Sequence, residues 1–313
     1  TINALKMQAD EKIEYGEGTC SLKDYLRHHA NVTEVGRKVV KALAERLSES
    51  PLPSLLLPEN KEVLSAYLDG KHLWEVLNDY PDAHFSPQEM CDLLAPLLPR
   101  FYSIASSQKS VGNEVHLTVK LLAFEAQGER RHGVCTHYLC NLMPVEESVI
   151  PVYIHPHRGF TVPEQGEVPI IMVGPGTGVA PFRAFMQERI ASGAKGKNWL
   201  FFGEWRRSHN FLYGEYWKQL ESEGTLRLDV AFSRDQEEKY YVQHRLLENG
   251  KELFAWLEEG AYFYVCGDAQ KMAKDVEVVL QQIIELHGNK TPEEARDYIK
   301  RLRKEKRYLR DVY

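Results

Sequence analysis

The sequence predicts an α/β protein with an antiparallel β-barrel. A doubly wound parallel sheet occupies the second half, and the barrel before it is preceded by a mostly helical segment. Three observations carry that prediction. From about residue 166 to 313, continuous apolar runs alternate with helical stretches, as in a parallel sheet covered on both faces. Residues 96–165 hold short runs of Val, Leu, Thr and aromatics broken by Gly and Pro, as in antiparallel strands. Residues 1–95 place apolar side chains at helical spacing. Three domains are expected at those boundaries.

In the first region Leu22, Tyr25 and Leu26 recur at helical spacing, as do Val39, Val40, Leu43 and Leu47. Pro51, Pro53 and Pro58 interrupt the pattern, and shorter helices follow at 61–67, 73–77 and 87–94. Ser86 before Pro87 reads as an N-cap ahead of a proline-first helix. The region itself is expected to carry no chemistry. In the second region 101–106, 115–124 and 149–154 read as strands, with Pro151 placing the last at an edge. In the third, strands are expected at 169–173, 198–203, 226–232 and 261–266. Helices are expected at 182–191, 213–221, 242–248, 252–259 and 269–287.

Bulk properties bound the function. A length of 313 residues suits two or three domains, and 43% hydrophobic with 27% charged residues is ordinary for a globular chain. The net charge of -6 argues against a nucleic-acid partner. The basic stretch 300–310 reads as a solvated helix face. Cys20, Cys91, Cys135, Cys140 and Cys266 have no metal-ligand spacing and are odd in number, so no metal site and a reducing, cytoplasmic setting are expected. No apolar run reaches the roughly 18 residues of a membrane span. The start, Thr1-Ile2-Asn3-Ala4-Leu5-Lys6, lacks signal-peptide order and reads as though the chain begins partway through a larger protein.

Several motifs carry chemistry. The run Ile170-Ile171-Met172-Val173-Gly174-Pro175-Gly176-Thr177-Gly178-Val179-Ala180-Pro181-Phe182 takes a buried strand through a glycine turn into a helix. Missing side chains let phosphates approach the backbone, and the helix start favours negative charge. Its G-x-G-x-G spacing departs from the dinucleotide fingerprint, so a plain tight turn stays open. Arg100 and Tyr102 stand two apart on an expected strand, offering a guanidinium for pyrophosphate and a ring for a flat heterocycle; a solvent-facing arginine beside a core tyrosine is the alternative. Gly133 precedes a short helix running to about Leu142, with Thr136 near its cap. Ser233, Arg234, Lys239, Tyr241 and Gln243 follow the third strand of the α/β region, where Ser, Arg and Lys suit the extra phosphate of NADP; a charged surface loop is the alternative. Tyr264-Val265-Cys266-Gly267-Asp268 ends a strand where such sheets bind ligands, although a buried structural cysteine is the commoner case. The ending Arg310-Asp311-Val312-Tyr313 is expected to fray.

In this order the pieces resemble the ferredoxin–NADP reductase family, and within it the diflavin reductases with their inserted helical connecting domain. The resemblance covers nearly the whole chain. It rests on the Arg-x-Tyr-Ser strand, the Gly133 helix start, the Gly-Pro-Gly-Thr-Gly loop, the Ser-Arg…Lys-x-Tyr-x-Gln set, the Tyr-Val-Cys-Gly-Asp turn and the aromatic terminus. The ending and the runs 174–189 and 197–203 look most like members serving sulfite reduction. The resemblance implies an FAD-binding barrel with a helical insert, followed by a doubly wound sheet binding NADPH. It assigns Arg100, Gly133, Val134, Cys135 and Thr136 to the FAD pyrophosphate. Phe101 and Tyr102 would lie at the flavin with Ser103 near its reactive edge, and Thr33, Thr118, Val119, Lys120 and Phe124 along the FAD. Gly176 and Thr177 would cradle the NADPH pyrophosphate, while Ser233, Arg234, Lys239, Tyr240, Tyr241, Val242, Gln243 and Asp275 would hold its adenosine end. Tyr313 would stack on the flavin, and Ser103, Cys266, Asp311 and Tyr313 would attend hydride transfer.

Electrons would pass to an FMN/flavodoxin-like domain and then to a sulfite reductase haemoprotein or similar haem/iron–sulfur acceptor, with no nucleic acid or membrane involved. A cytochrome, ferredoxin or flavodoxin as acceptor, an NADH-using reductase, and a flavin-free scaffold are the alternatives. The sequence departs from the family in three ways. It carries no FMN domain, the first strands of the FAD domain are absent or shortened, and Gly-Val-Cys-Thr is bulkier than the usual small-residue run.

Overall fold

Two stretches of chain build each of two units in the computed structural model, which describes residues 1–146, 149–157 and 159–313. The first unit joins residues 1–101 to 121–142, and the second joins 102–120 to 143–313.

The first unit opens with a hairpin, β1 (Lys12–Tyr15) against β2 (Gly18–Ser21), which the helical expectation did not include. Gly16 turns it with φ 59°, and of β1 only Ile13 is buried. One buried residue in four gives no alternation to read. Helices Leu22–His28, Arg37–Arg46, Lys61–Leu68, Leu73–Asp79 and Pro87–Leu93 follow. Ser86 caps the last, its Oγ accepting from the Glu89 amide while Glu89 accepts from the Ser86 amide, and Pro87 opens the helix. Val39, Val40, Leu43, Leu52, Leu73, Val76 and Met90 form the unit's main core. A second hairpin, β3 (Ala123–Ala126) and β4 (Glu129–His132), turns on Gln127 and Gly128, both with positive φ, which matches the right-handed strand twist. Arg131 anchors it, with Nη2 donating to Glu75 Oε1 at 2.6 Å and Nη1 to the Gly70 carbonyl at 2.6 Å.

The second unit is a five-stranded parallel sheet of β5 (Ile170–Val173), β6 (Asn198–Glu204), β7 (Arg227–Phe232), β8 (Tyr262–Gly267) and β9 (Tyr308–Val312), in the order β7-β6-β5-β8-β9. Alternate residues serve opposite faces. Ile171, Val173, Trp199, Phe201, Phe263 and Val265 pack beneath helices Val242–Glu248, Gly250–Glu258, Met272–Gly288 and Pro292–Lys304. Ile170, Met172, Leu200, Phe202, Tyr264 and Cys266 pack against helices Ala180–Ala191 and Gly214–Ser222. Burial on both faces is why these strands read as unbroken apolar runs. The basic stretch 300–310 is not one helix face: the helix ends at Lys304 and β9 begins at Tyr308. The terminus is held as well, since the Tyr313 amide donates to the Gly267 carbonyl at 3.1 Å.

The antiparallel elements are small. Residues 101–106 and 115–124 meet only at the bridge Ile104↔Leu117 before β3 begins, and 149–154 form no strand. Arg100 and Tyr102 therefore share no strand face. A strand needs a neighbour to bond, and composition shows only the capacity for one. Segment 102–120 is instead held by helix Ala180–Ala191 of its own unit. Arg183 Nη1 donates to the Ala105 carbonyl at 2.6 Å, and Ser107 Oγ donates to Glu188 Oε2 at 2.6 Å.

Candidate functional site

The strand order places the glycine turn at the sheet's switch point. From β5 the chain runs outward through β6 to β7, then crosses to β8 on the other side of β5. The crevice between diverging connections at the carboxyl ends of such strands is where ligands bind. Gly174 and Gly178 are demanded by packing there. A Cβ on Gly178 would lie 2.1 Å from the Cys266 carbonyl oxygen, and one on Gly174 would lie 2.6 Å from that of Gly178. Gly176 is demanded by its φ of 58°, which side chains disfavour. The loop tightens into a 3₁₀ turn, Gly176–Val179, and continues as the twelve-residue helix Ala180–Ala191. Its amino end carries the positive end of the helix dipole and opens at the crevice.

Beside this loop the structure gathers three of the four expected catalytic side chains. Cys266 is the penultimate residue of β8 and wholly buried, and β9 pairs it in register with Asp311. Its thiol lies 3.8 Å from Asp311 Oδ2, and Ser103 Oγ donates to the same oxygen at 2.9 Å. Burial first, and the Asp311 charge second, push the Cys266 thiol well above its usual range, so it stays neutral. His157 Nδ1 stands 3.7 Å from Asp311 Oδ1. Tyr313, the fourth, follows directly. Its hydroxyl bonds Thr177 Oγ1 at 3.0 Å, its ring is 65% exposed, and partial burial raises its phenol.

The loop after β7, the start of helix Val242–Glu248 and helix Met272–Gly288 carry the expected adenosine set. The Ser233 amide donates to the Glu204 carbonyl at 2.9 Å, and that of Arg234 to the Trp205 carbonyl at 2.8 Å. Arg234 and Lys239 are exposed, Tyr241 is partly so, and Tyr240 lies beside Arg245. Gln243 Nε2 donates to Asp275 Oδ2 at 3.3 Å, bringing those two expected residues together. Val242 differs from its neighbours, because its side chain belongs to the core.

The residues expected along an FAD divide between the units. In the second, Tyr102 and Val119 are half-buried, Thr118 Oγ1 bonds the Tyr213 hydroxyl at 2.7 Å, and Lys120 Nζ donates to Glu204 Oε1 at 3.0 Å. In the first, Arg100 is exposed and stands in no ion pair among the described residues. Phe101, Phe124 and Val134 expose their apolar side chains, and Cys135 is half-buried. Thr33 turns its hydroxyl onto Asn31 Oδ1 at 2.9 Å. Gly133, not Thr136, holds the cap position of helix Val134–His137, and a π-helical turn replaces the expected continuation to Leu142. The Thr136 hydroxyl closes the loop itself, donating to the Gly133 carbonyl at 3.1 Å and accepting from the Leu122 amide at 3.2 Å.

Sequence reasoning missed Glu204, Trp205, Tyr213 and His157. Trp205 had a readable signal, a large aromatic just past a buried strand that is 48% exposed in the structure. Among the described residues no helix is long and apolar enough to cross a membrane, and no group of three or more His, Cys, Asp or Glu could hold a metal ion. Among the described residues no disulfide joins the five cysteines.

Residues 4–138 match the FAD binding domain family, and residues 172–278 match the oxidoreductase NAD-binding domain family. The chain is 45% identical over 313 residues to the sulfite reductase (NADPH) flavoprotein alpha-component of Shewanella oneidensis, covering 99% of this chain and 51% of that protein. Against the Bacillus subtilis protein of that name it is 45% identical over 293 residues, covering 93% and 48%. Against that of Vibrio cholerae it is 44% identical over 313 residues, covering 100% and 50%. The chain spans about half the length of the curated relatives it matches.

Proposed function

We propose that this chain belongs to the ferredoxin–NADP reductase family of flavoproteins and is the FAD- and NADPH-binding part of an NADPH-dependent sulfite reductase flavoprotein. On this reading it takes hydride from NADPH onto FAD and hands electrons to an FMN/flavodoxin-like domain. From there they reach a haem/iron–sulfur partner that reduces sulfite in the cytoplasm. The relatives' names support the acceptor. The division near residues 95 and 165 into connecting, FAD and NADPH domains is part of the same proposal.

The observation that carries it is the convergence of Ser103, Cys266 and Asp311 beside the glycine loop at the switch point. The donor set fits the two cofactors. The loop glycines leave the helix start open to a pyrophosphate. Arg234 and Arg100 are exposed cations with no ion pair among the described residues. Phe101 and Phe124 offer apolar surface to a heterocycle.

FAD, when bound, supplies the acceptor for hydride and the means of releasing electrons onward. The protein supplies charge and position. Asp311, fixed by Ser103 and by β9, would offer its carboxylate to the positive charge a bound nicotinamide gains when it gives up hydride. Cys266 adds bulk without a second negative charge, because its thiol stays protonated. Tyr313 covers the approach through its bond to Thr177, and releasing one such bond costs about 0.5–1.5 kcal/mol, which phosphate contacts can offset. A visible spectrum of the purified protein tests the proposal. Flavin bands that bleach on anaerobic addition of NADPH are expected; a protein that stays colourless after incubation with FAD overturns it.

A further inference from the structure

We propose that Trp205 is a positioning residue for the nucleotide's adenosine phosphate: its ring holds the Arg234 guanidinium face-on, leaving the guanidinium edge free for the phosphate. This rests on the reading of Ser233 and Arg234 as the phosphate site, and adds a residue to it.

Backbone register makes the pair. Pairing between β6 and β7 continues past both strands, with the Ser233 amide donating to the Glu204 carbonyl and the Arg234 amide to the Trp205 carbonyl at 2.8 Å. Trp205 and Arg234 are thus fixed as neighbours on adjacent chains. The Arg234 guanidinium carbon lies 3.9 Å over the indole ring. Stacking uses the face of a guanidinium and leaves its in-plane N–H donors outward, the edge that reads phosphate oxygens.

Of the two cations over the indole, Arg234 is the available one. Lys120 Nζ also lies over the ring at 4.8 Å, but it is engaged by Glu204 Oε1 at 3.0 Å. The Glu204 side chain is only 7% exposed, and its other oxygen accepts from the Trp205 amide at 2.7 Å. That carboxylate is therefore matched twice. Arg234 stands in no ion pair among the described residues, and Arg206 Nη1 donates to its carbonyl at 3.2 Å, bringing a second guanidinium to the same place. The indole is 48% exposed and outside both cores of its unit, so packing does not account for it. An unheld arginine would have to be ordered by the phosphate itself, whereas a stacked one is ordered beforehand.

Calorimetric titration with 2′,5′-ADP and with 5′-AMP tests the idea, since the two ligands differ by the phosphate alone. Trp205→Leu should weaken 2′,5′-ADP by about threefold to fivefold, the range of an exposed cation–π contact, and leave 5′-AMP unchanged. Trp205→Phe, which keeps a ring and serves also if the leucine variant misfolds, should recover most of the loss. In an Arg234→Ala background either change should have no further effect. Unchanged 2′,5′-ADP binding by both variants, or equal weakening of both ligands, overturns the role of Trp205. A wild-type protein that binds 2′,5′-ADP no better than 5′-AMP instead overturns the phosphate-site reading, and this inference falls with it.

Discussion

The glycine loop is where a ligand cradle and a tight turn make different predictions, and Gly178→Ala separates them. A Cβ at Gly178 would lie 2.1 Å from the Cys266 carbonyl oxygen and 2.7 Å from its carbon. Ordinary contact is roughly 3.5 Å, so the loop and the end of β8 must part by more than about 1 Å. Neither side yields cheaply, because the obstacle is backbone of a buried strand and no flexible side chain can swing away. Overpacking of this kind costs about 3 kcal/mol, the upper end of its usual range. In a unit of this size that lowers Tm by roughly 6–12 °C. Gly176→Ala is the contrast. Its Cβ would meet only Glu204 Oε1, at 3.6 Å, but its φ of 58° strains any side chain. That strain costs about 1–2 kcal/mol, or roughly 2–8 °C. Thermal unfolding followed by tryptophan fluorescence reads mainly the right unit, since Trp199, Trp205, Trp217 and Trp256 lie in it and only Trp74 lies in the other. A Gly178→Ala protein melting no lower than Gly176→Ala would refute the packing of this loop on β8.

Three further outcomes are expected. Arg234→Ala loses charge-assisted bonds worth about 1.5–3 kcal/mol and should raise the KM for NADPH at least tenfold while sparing NADH; equal losses in steady-state kinetics would remove the phosphate role. Deleting Tyr313 breaks the bond to Thr177 and uncovers the approach, so affinity for the oxidised nicotinamide cofactor should rise several-fold, as a stack of about 0.5–1.5 kcal/mol implies; a titration showing no change contradicts the covering role. Tyr216 has a buried hydroxyl without a hydrogen-bond partner among the described residues, so Tyr216→Phe should stabilise by about 1 kcal/mol at neutral pH in denaturant unfolding. Burial pushes its phenol up from 10.0 to about 12. A phenol raised in the folded state gives stability present below its unfolded value and lost as pH rises toward its folded one. The wild type should therefore weaken between those values, and the phenylalanine variant less so.

What the sequence made legible follows from the range of the forces. Burial on both faces is written into β5, β6 and β8 as continuous apolar runs, and the helices between them as spacing, so the doubly wound half could be read locally. The β1 hairpin could not, because Ile13 alone of its first strand is buried. Helix Pro292–Lys304 had a signal that went unused: Thr291 and Glu294 form a reciprocal cap with Pro292 at the first position. The expected strands at 101–106 and 149–154 failed for the opposite reason. Val149 and Val152 have strand-forming side chains but are 92% and 77% exposed, with no partner strand beside them among the described residues. At the site, Ser103, Cys266 and Asp311 could be nominated singly, but their meeting depends on the order β5-β8-β9, which no local pattern states. Trp205 and Arg234 likewise meet only because β6 pairs with β7.

That dependence constrains how the site can fail. Cys266 is presented by a central strand bonded on both sides, while Asp311 arrives on β9, an edge bonded on one side only. Ser103 arrives on segment 102–120, which lacks strand pairing beyond one bridge and relies on Arg183, Gln187 and Glu188 of helix Ala180–Ala191. The helix that begins at the glycine loop therefore holds the serine, and the last strand supplies the carboxylate. The two weakest-held members bond each other through Ser103 Oγ and Asp311 Oδ2, so each limits the wandering of the other. Local opening of β9 would release Asp311 and Tyr313 together while Cys266 stayed buried in place. The proposed hydride site is thus expected to lose its charge and its cover before it loses its floor.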